Sequence, residues 1–302
     1  MKKSELRDII IKNKLIKGNS MNKICDLHSH SVYSDGTFTP AEIIDEAIKI
    51  GLSAIALTDH NTVEGLPDFI AAAQGKNIEI VAGTELSGKY NGVEVHILAL
   101  FIDPDKFEKV SALMKDVNDL EKMTSKNLVE NLNRAGYDID YNEIISSTPS
   151  GRTNRAHIAL ALMEKGYVSS IKEAFVNILS KDAGHYKEPK RLDALEILDF
   201  ICSIHAIPVV AHPFLNLTES ELIDFLSEAK KHGLLGMECY YSAYDHETTE
   251  KSLKIAKEFG LLTSGGSDFH GKIRSAVSLG SGKGDLRVPF ECYLNLKKTK
   301  NQ

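Results

Sequence analysis

Short runs of apolar, β-type residues alternate with stretches whose apolar positions recur at helical spacing, and the alternation starts at Ile24. Strands are read at 24–27, 53–58 and 78–83, with helices at 40–50 and 63–74 between them. Thr39 suits an N-cap, Pro40 the first helical position, and Gly51 ends that helix. A further strand is read at 93–101. Repeated strand–helix units predict a mostly parallel sheet covered by helices. From 103 to 189 the pattern turns helical and polar, with a long helix at 106–135, shorter ones at 154–165 and 169–179, and no strand between them. Alternation then resumes, with helices at 193–205, 220–231 and 245–259 and strands at 207–210, 234–239 and 261–265. The reading is an α/β body over 23–102 and 190–290, interrupted by a helical insertion or cap at 103–189. Residues 1–22 precede it as an extension. Leu6, Ile9, Ile10 and Leu15 there suit either a short amphipathic helix or a frayed tail.

The 302 residues, 42% hydrophobic and 26% charged, suffice for one large barrel or for a core with an inserted domain. Cys25, Cys202, Cys239 and Cys292 are scattered without C-x-x-C spacing, which argues against a zinc ribbon, a redox pair or a disulfide framework. A reducing, cytoplasmic setting is the expectation. No run of 18 apolar residues exists, and residues 1–22 lack the apolar core of a secretory signal, so neither a membrane span nor export is read. A net charge of -6 and a pI near 6.0 count against a broad nucleic-acid surface but allow a small anionic substrate.

The candidate chemistry begins at Asp26-Leu27-His28-Ser29-His30. On an extended chain residues i and i+2 share a face, so His28 and His30 project together, either as a chelating pair or as part of a polar turn, with Asp35 five residues on. The later candidates fall at or near predicted C-terminal strand ends: His60, Glu85, His212, Glu238, Asp268 and His270. That edge of α/β enzymes is where loops converge to build active sites. His96 is the exception, inside its strand. His205, His232 and His246 fall in or at the ends of helices and are read as structural; His232 suits a helix C-terminus.

The set Asp26-Leu27-His28-Ser29-His30 with Asp35, Thr58-Asp59-His60, Gly83-Thr84-Glu85, His96, Ala211-His212-Pro213 and Ser267-Asp268-Phe269-His270 resembles the polymerase and histidinol phosphatase (PHP) family of metal-dependent phosphoesterases. The resemblance spans residues 24 to about 271. It implies a distorted, TIM-like (β/α)7 barrel with a trinuclear metal centre at the C-terminal face of its strands. One metal would take His28, His30, Glu85 and Asp268; a second would share Glu85 and take His96 and His212; a third would take Asp35, His60 and His270. Two or three divalent ions, manganese, iron or zinc, are thereby implied. The Ser34-Asp35-Gly36-Thr37 run and the helical insertion look like the branch acting on nucleoside 3′,5′-bisphosphates and on 5′ ends of short RNA. That branch holds phosphate with a segment reading Arg-Thr-His-x-Ala-Arg. Here Arg155-Ala156-His157-Ile158-Ala159-Leu160 keeps the first Arg and the His and has Leu160 in place of the second Arg. Tyr186 matches an aromatic of that branch.

The activity so implied is phosphomonoester hydrolysis by metal-activated hydroxide, with His28, His30, Asp35, Glu85, Asp268 and His270 at its centre. Arg155 and His157 would neutralise the phosphate, and His157 or a metal would assist the leaving oxygen. Glu238, Asp26 and Asp59 would orient ligands. Two other readings stay open: a phosphatase for histidinol phosphate or another small monophosphate, and a metal-binding regulatory module without turnover. The expected partner is a small phosphorylated substrate, and the expected assembly a monomer or small homo-oligomer.

Overall fold

The protein is described by a computed structural model over residues 23–146, 148, 151 and 153–302, so the expected N-terminal helix lies outside the described residues. The strands are β1 Ile24–Asp26, β2 Ala54–Leu57, β3 Glu79–Tyr90, β4 Val93–Leu100, β5 Leu192–Asp193, β6 Ile207–Val210, β7 Gly236–Tyr241, β8 Leu262–Gly266 and β9 Val288–Pro289. The helices are α1 Pro40–Lys49, α2 Leu66–Ala73, α3 Phe107–Arg134, α4 Tyr141–Ser146, α5 Arg155–Glu164, α6 Ile171–Asn177, α7 Ala194–Ser203, α8 Glu219–Ala229, α9 His246–Glu258 and α10 Phe290–Lys300.

The sheet runs β8-β7-β6-β4-β3-β2-β1-β9, with β5 paired to β3. Beyond the end of β1 the chain stays extended and bonds to the end of β8. Leu27 N donates to Gly265 O at 3.0 Å, Asp268 N to His28 O at 2.9 Å and His30 N to Phe269 O at 2.9 Å. The result, among the described residues, is a nearly closed, barrel-shaped sheet of nine strands in an α/β architecture, two more than the seven expected. Among the described residues no helix is long and apolar enough to cross a membrane. All four cysteines are free.

The sheet is less parallel than its pattern implied. β1, β2 and β3 run parallel, as do β6, β7 and β8, but β4 is antiparallel to both neighbours. Asn91 and Gly92, at φ 49° and 84°, form the two-residue turn whose doubly positive φ closes a hairpin. An apolar run has no direction of its own; the Asn-Gly turn before Val93 gives it one. β3 also continues seven residues past Gly83, where the apolar run stops, because the polar Thr84, Glu85 and Ser87 are buried and paired with β4. Glu238 is likewise the third of six residues in β7, not its last. The short α4 and the C-terminal α10 had no clear sequence signal.

Side-chain alternation divides the core. On β2, Ile55 and Leu57 face the outer helices with Ile43, Ile44, Phe69 and Ile197. Ala54 and Ala56 face the barrel interior with Cys25, Leu27, Val81, Leu98 and Val209. Both faces of β2 are therefore buried, as its unbroken apolar sequence requires. Tyr293 and Leu296 of α10 join the interior cluster and close the end of the barrel away from the strand C-termini. Truncating a residue such as Leu57 to Ala costs about 2–5 kcal/mol.

The 28-residue α3 serves two cores. Val110, Met114 and Val117 pack on the outer barrel cluster, whereas Leu128, Val129 and Leu132 join a separate cluster with Ile139, Ile144, Ile158, Leu162 and Tyr186. The segment between β4 and β5 thus has its own apolar centre while one helix anchors it to the barrel. It lies over the mouth that the site occupies: Asn154, the N-cap of α5, donates from Nδ2 to Asp35 Oδ2 at 2.9 Å.

Candidate metal centre

Nine histidine and carboxylate side chains meet at the mouth, delivered by strand ends and the loops after them. His28 and His30 follow β1, Asp35 lies in the next loop, His60 follows β2, His212 follows β6, and Asp268 and His270 follow β8. Glu85 lies within β3, which overshoots the mouth. His96 reaches the mouth from inside β4 because that strand runs backwards, so that its N-terminal half lies beside Ser87 of β3. Gly266 is required beneath the first ligand: a Cβ there would stand 2.4 Å from His28 Cβ. Asp268 and His212 take left-handed backbone angles, φ 56° and 28°, at the points where the chain turns over the mouth.

Glu85 is the hub. Its fully buried carboxylate touches five imidazoles: Oε2 lies 3.1 Å from His28 Nε2, 3.3 Å from His30 Nε2 and 3.1 Å from His60 Nδ1, and Oε1 lies 2.7 Å from His96 Nδ1 and 2.9 Å from His212 Nε2. Asp268 Oδ1 stands 3.1 Å from His30 Nε2 and 3.6 Å from His28 Nε2. Asp35 Oδ1 stands 3.2 Å from His270 Nε2, with His60 Nε2 at 3.9 Å and His30 Nδ1 at 4.0 Å. Three groups each offer ligand atoms within 4.8 Å of one another: His28, His30, Glu85 and Asp268; His30, Asp35, His60 and His270; and His60, Glu85 and His96. His30 and His60 thus each belong to two groups, where the resemblance gave each to one.

The outward bonds of the rings fix which nitrogen faces inward. His28 Nδ1 donates to Glu238, 3.1 Å from Oε1, and that carboxylate also accepts His212 N at 2.8 Å. His270 Nδ1 donates to Asp268 O at 2.8 Å, and His96 Nε2 donates to Glu94 Oε1 at 3.2 Å. In the neutral rings the remaining nitrogens, His28 Nε2, His270 Nε2 and His96 Nδ1, aim lone pairs at carboxylate oxygens. Asp35 Oδ1 is buried without a hydrogen-bond partner. Lone pair against carboxylate is repulsive without a cation between them, so this donor set fits divalent metal ions.

The protonation balance has the same cause. Burial opposes charge throughout, yet the surrounding imidazoles hold Glu85 and Asp35 well below the usual carboxylate range, and Arg274 with His28 does so for Asp268. Burial likewise opposes charge on His30 and His96, but Asp268 and Glu85 raise the first to about 9 and Glu85 and Glu94 the second to about 10. Burial prevails at His60, pushed down to about 3, and lowers His270. Without metal, protons on some of these imidazoles supply the positive charge the carboxylates need.

Asp26 and Asp59 act through backbone and hydroxyls, not through ring nitrogens. Asp26 accepts Ser267 N at 2.9 Å and Gly280 N at 2.8 Å, tying β1 to the loops after β8. Asp59 accepts Ser31 N at 2.7 Å, Ser31 Oγ at 2.6 Å and Ser34 Oγ at 2.6 Å, fixing the loop that presents Asp35. Burial raises the pKa of both. Tyr241 and Arg274 carried no sequence signal, yet both bond Asp268 Oδ2, Tyr241 Oη at 2.8 Å, and leave Oδ1 to the histidines.

From the helical segment, His157 lines a cavity of about 230 Å³ with His60, Ser34, Asn118 and Asn154. Its Nδ1 accepts Asn154 N at 3.2 Å, so its proton sits on Nε2; burial lowers its pKa and keeps the ring neutral. The Arg155 guanidinium stacks 4.3 Å above the Tyr186 ring and 5.5 Å from Phe175. Leu160 lines a second cavity, also bordered by His157, with Ile139, Ile144, Asp140, Glu143 and Glu164. His232 pairs at the surface with Asp199 at 2.9 Å.

The family model for the PHP domain matches residues 26–188. A 5′-3′ exoribonuclease of Haemophilus influenzae is 30% identical over 251 residues, covering 83% of this chain and 91% of that protein. A 3′,5′-nucleoside bisphosphate phosphatase of Chromobacterium violaceum is 29% identical over 259 residues, covering 81% and 86%. Among solved structures, a proposed metal-dependent phosphoesterase of Bifidobacterium adolescentis superposes with a TM-score of 0.82 at 27% identity, covering 92% of this chain and 96% of that one.

Proposed function

Because the chain belongs to the PHP domain family, whose phosphoesterase relatives share its fold, we propose that it is a metal-dependent hydrolase removing phosphate from a nucleotide, either a nucleoside 3′,5′-bisphosphate or the 5′ end of a short RNA. The observation that carries this reading is Glu85, one buried carboxylate facing five imidazoles whose lone pairs need cations. His28, His30, Asp35, His60, Glu85, His96, His212, Asp268 and His270 would hold two or three divalent ions. Bound there, such ions supply Lewis-acid stabilisation of phosphoryl charge and a water acidic enough to act as nucleophile at neutral pH.

The remaining work falls to the chain. Asn154 ties the helical segment to Asp35, joining a wall of the cavity to the ligand loop. His157, a neutral N–H donor on the wall of that cavity, is placed to bond a phosphoryl oxygen or the leaving oxygen. Arg155, pre-ordered on Tyr186, offers a fixed charge to the substrate as it enters. The helical segment shields the site from water, which strengthens each of these contacts.

One observation favours a second reading. Leu160, with Asp140, Glu143 and Glu164, borders the cavity on the far side of His157, where the branch pattern would place a second arginine. A second phosphate is unwelcome there, and a small monophosphate with an uncharged or cationic end is not. Release of phosphate from adenosine 3′,5′-bisphosphate, of phosphate or mononucleotide from short 5′-phosphorylated RNA, and of phosphate from AMP and histidinol phosphate decides between them. Preference for either of the first two supports the nucleotide reading; preference for histidinol phosphate overturns it in favour of the second.

A further inference from the structure

Arg191 lies outside the nine candidate ligands, at the end of the helical segment and one residue before β5. Pairing of Leu192 and Asp193 with Gly88 and Lys89 fixes its backbone against β3. Its side chain, 9% exposed, reaches between the barrel and the helical segment. Nη2 stands 3.2 Å from Glu94 Oε1 on β4, and Nη1 bonds Glu121 Oε1 on α3. The same Glu94 oxygen accepts His96 Nε2 at 3.2 Å, and the opposite nitrogen of that ring, Nδ1, is 2.7 Å from Glu85. A continuous chain of polar contacts thus runs from α3 through Arg191, Glu94 and His96 to the centre of the site.

We infer that Arg191 is a positioning residue: it holds Glu94 as the acceptor of His96 Nε2–H, which leaves Nδ1 free to bind metal, and it makes that geometry depend on the docking of α3 through Glu121. The inference rests on the metal-centre reading above and adds to it the coupling between the helical segment and one ligand. A planar guanidinium suits the task, since its fork can hold two carboxylates at fixed separation where an ammonium is a single point charge. Burial of its Nε without a partner marks the side chain as held by these two carboxylates and not by solvent. The rival account is an ordinary ion-pair tie that holds the two parts of the protein together and leaves the ligands unaffected.

The two accounts differ in metal affinity. Purified full-length protein is stripped with chelator, and Zn²⁺ and Mn²⁺ affinities are read by competition with a chromogenic chelator. The set is wild type, Arg191→Met, Arg191→Lys, Glu121→Gln and the Arg191→Met/Glu121→Gln double variant, each with a melting temperature for the metal-free form. The inference predicts a loss of about ten- to a hundredfold in affinity for Arg191→Met, as for other residues that orient a metal-bound imidazole, and partial recovery in Arg191→Lys. Glu121→Gln weakens binding by less, and its effect disappears when Arg191 is already Met. Affinity within twofold of wild type in both Arg191→Met and Glu121→Gln, with only the melting temperature lowered, overturns the inference and leaves the metal centre standing. Wild-type protein that binds neither ion overturns both. Should Arg191→Met fail to fold, Glu121→Gln at the outer end of the chain of contacts carries the test alone.

Discussion

Exchanging Glu238 for Gln changes almost no volume but replaces one acceptor oxygen by a donor at a fully buried position. The carboxylate serves two donors, His28 Nδ1 at 3.1 Å and His212 N at 2.8 Å. A Gln amide keeps one oxygen; at the Oε2 position it stays 2.8 Å from His212 N and 3.2 Å from His28 Nδ1, but it then sets the NH₂ 3.1 Å from that same ring nitrogen. With the oxygen on His212 N, the NH₂ facing His28 Nδ1 competes with it and favours the tautomer in which that ring accepts there and carries its proton on Nε2, the atom 3.1 Å from Glu85 and aimed into the centre. If the oxygen turns to His28, two N–H groups confront each other at His212. An unsatisfied buried donor costs about 1–3 kcal/mol, and a tenfold change in an equilibrium corresponds to about 1.4 kcal/mol. Metal affinity should therefore fall by about ten- to a hundredfold in Glu238→Gln, in line with other residues that orient a ligating imidazole. Chelator competition measures the loss directly, and activity should recover as the metal concentration is raised. Wild-type affinity in Glu238→Gln refutes the argument that this carboxylate sets the His28 tautomer.

Tyr241→Phe deletes the hydroxyl on Asp268 Oδ2, a bond of about 1 kcal/mol, and should weaken metal binding about fivefold; Arg274→Ala, which also removes the charge beside Asp268, should weaken it more. Arg155→Ala should lower kcat/KM for phosphorylated substrates by about tenfold or more while metal content stays at the wild-type level, because a charge-assisted bond contributes about 1.5–3 kcal/mol. Stability of the chelated protein should fall between pH 7 and 10. His30 and His96 rise on folding from an ordinary 6.5 to about 9 and about 10, so the stability they contribute is complete below pH 6.5 and is lost as pH rises through those values. The lowered His60 and His270 act in the opposite window, losing their contribution as pH falls below 6.5. Thermal melts of metal-free and metal-loaded protein across that range measure both, and the loaded form should show the smaller alkaline loss, since bound cations replace the protons.

The elements of the barrel were legible wherever the hydrophobic period was clean. The 207–210 strand has the predicted bounds, and α3 falls within a residue of them at each end. What the period could not give was direction and extent. β4 reads as a strand whichever way it runs, and β3 continues through the buried polar Thr84, Glu85 and Ser87, of which Glu85 faces the site and Thr84 bonds Asp59 O, so the apolar signal that marks a strand is missing there. Eight of the nine candidate ligands were readable because they sit in or near short local motifs at predicted strand ends; His96, inside its strand, was the exception. Of the residues that hold them in place, Glu238, Asp26 and Asp59 were readable beside those motifs, and others were not. Tyr241 reaches Asp268 across 27 residues of sequence, and although Arg274 is six residues from Asp268 and Glu94 two from His96, each alone looks like a surface charge or a core aromatic. Asn154 was hidden for another reason: as the N-cap of α5 it already had a sufficient local role.

The central claim, that this is a metal-dependent phosphoesterase, is tested most directly by stripping the protein of metal and measuring phosphate release from adenosine 3′,5′-bisphosphate before and after adding back Mn²⁺ or Zn²⁺, with Asp268→Ala run beside it. The account predicts negligible release from stripped protein, recovery on adding metal, and no recovery in Asp268→Ala. Undiminished hydrolysis by stripped protein, or recovery by Asp268→Ala to the wild-type rate, would contradict it.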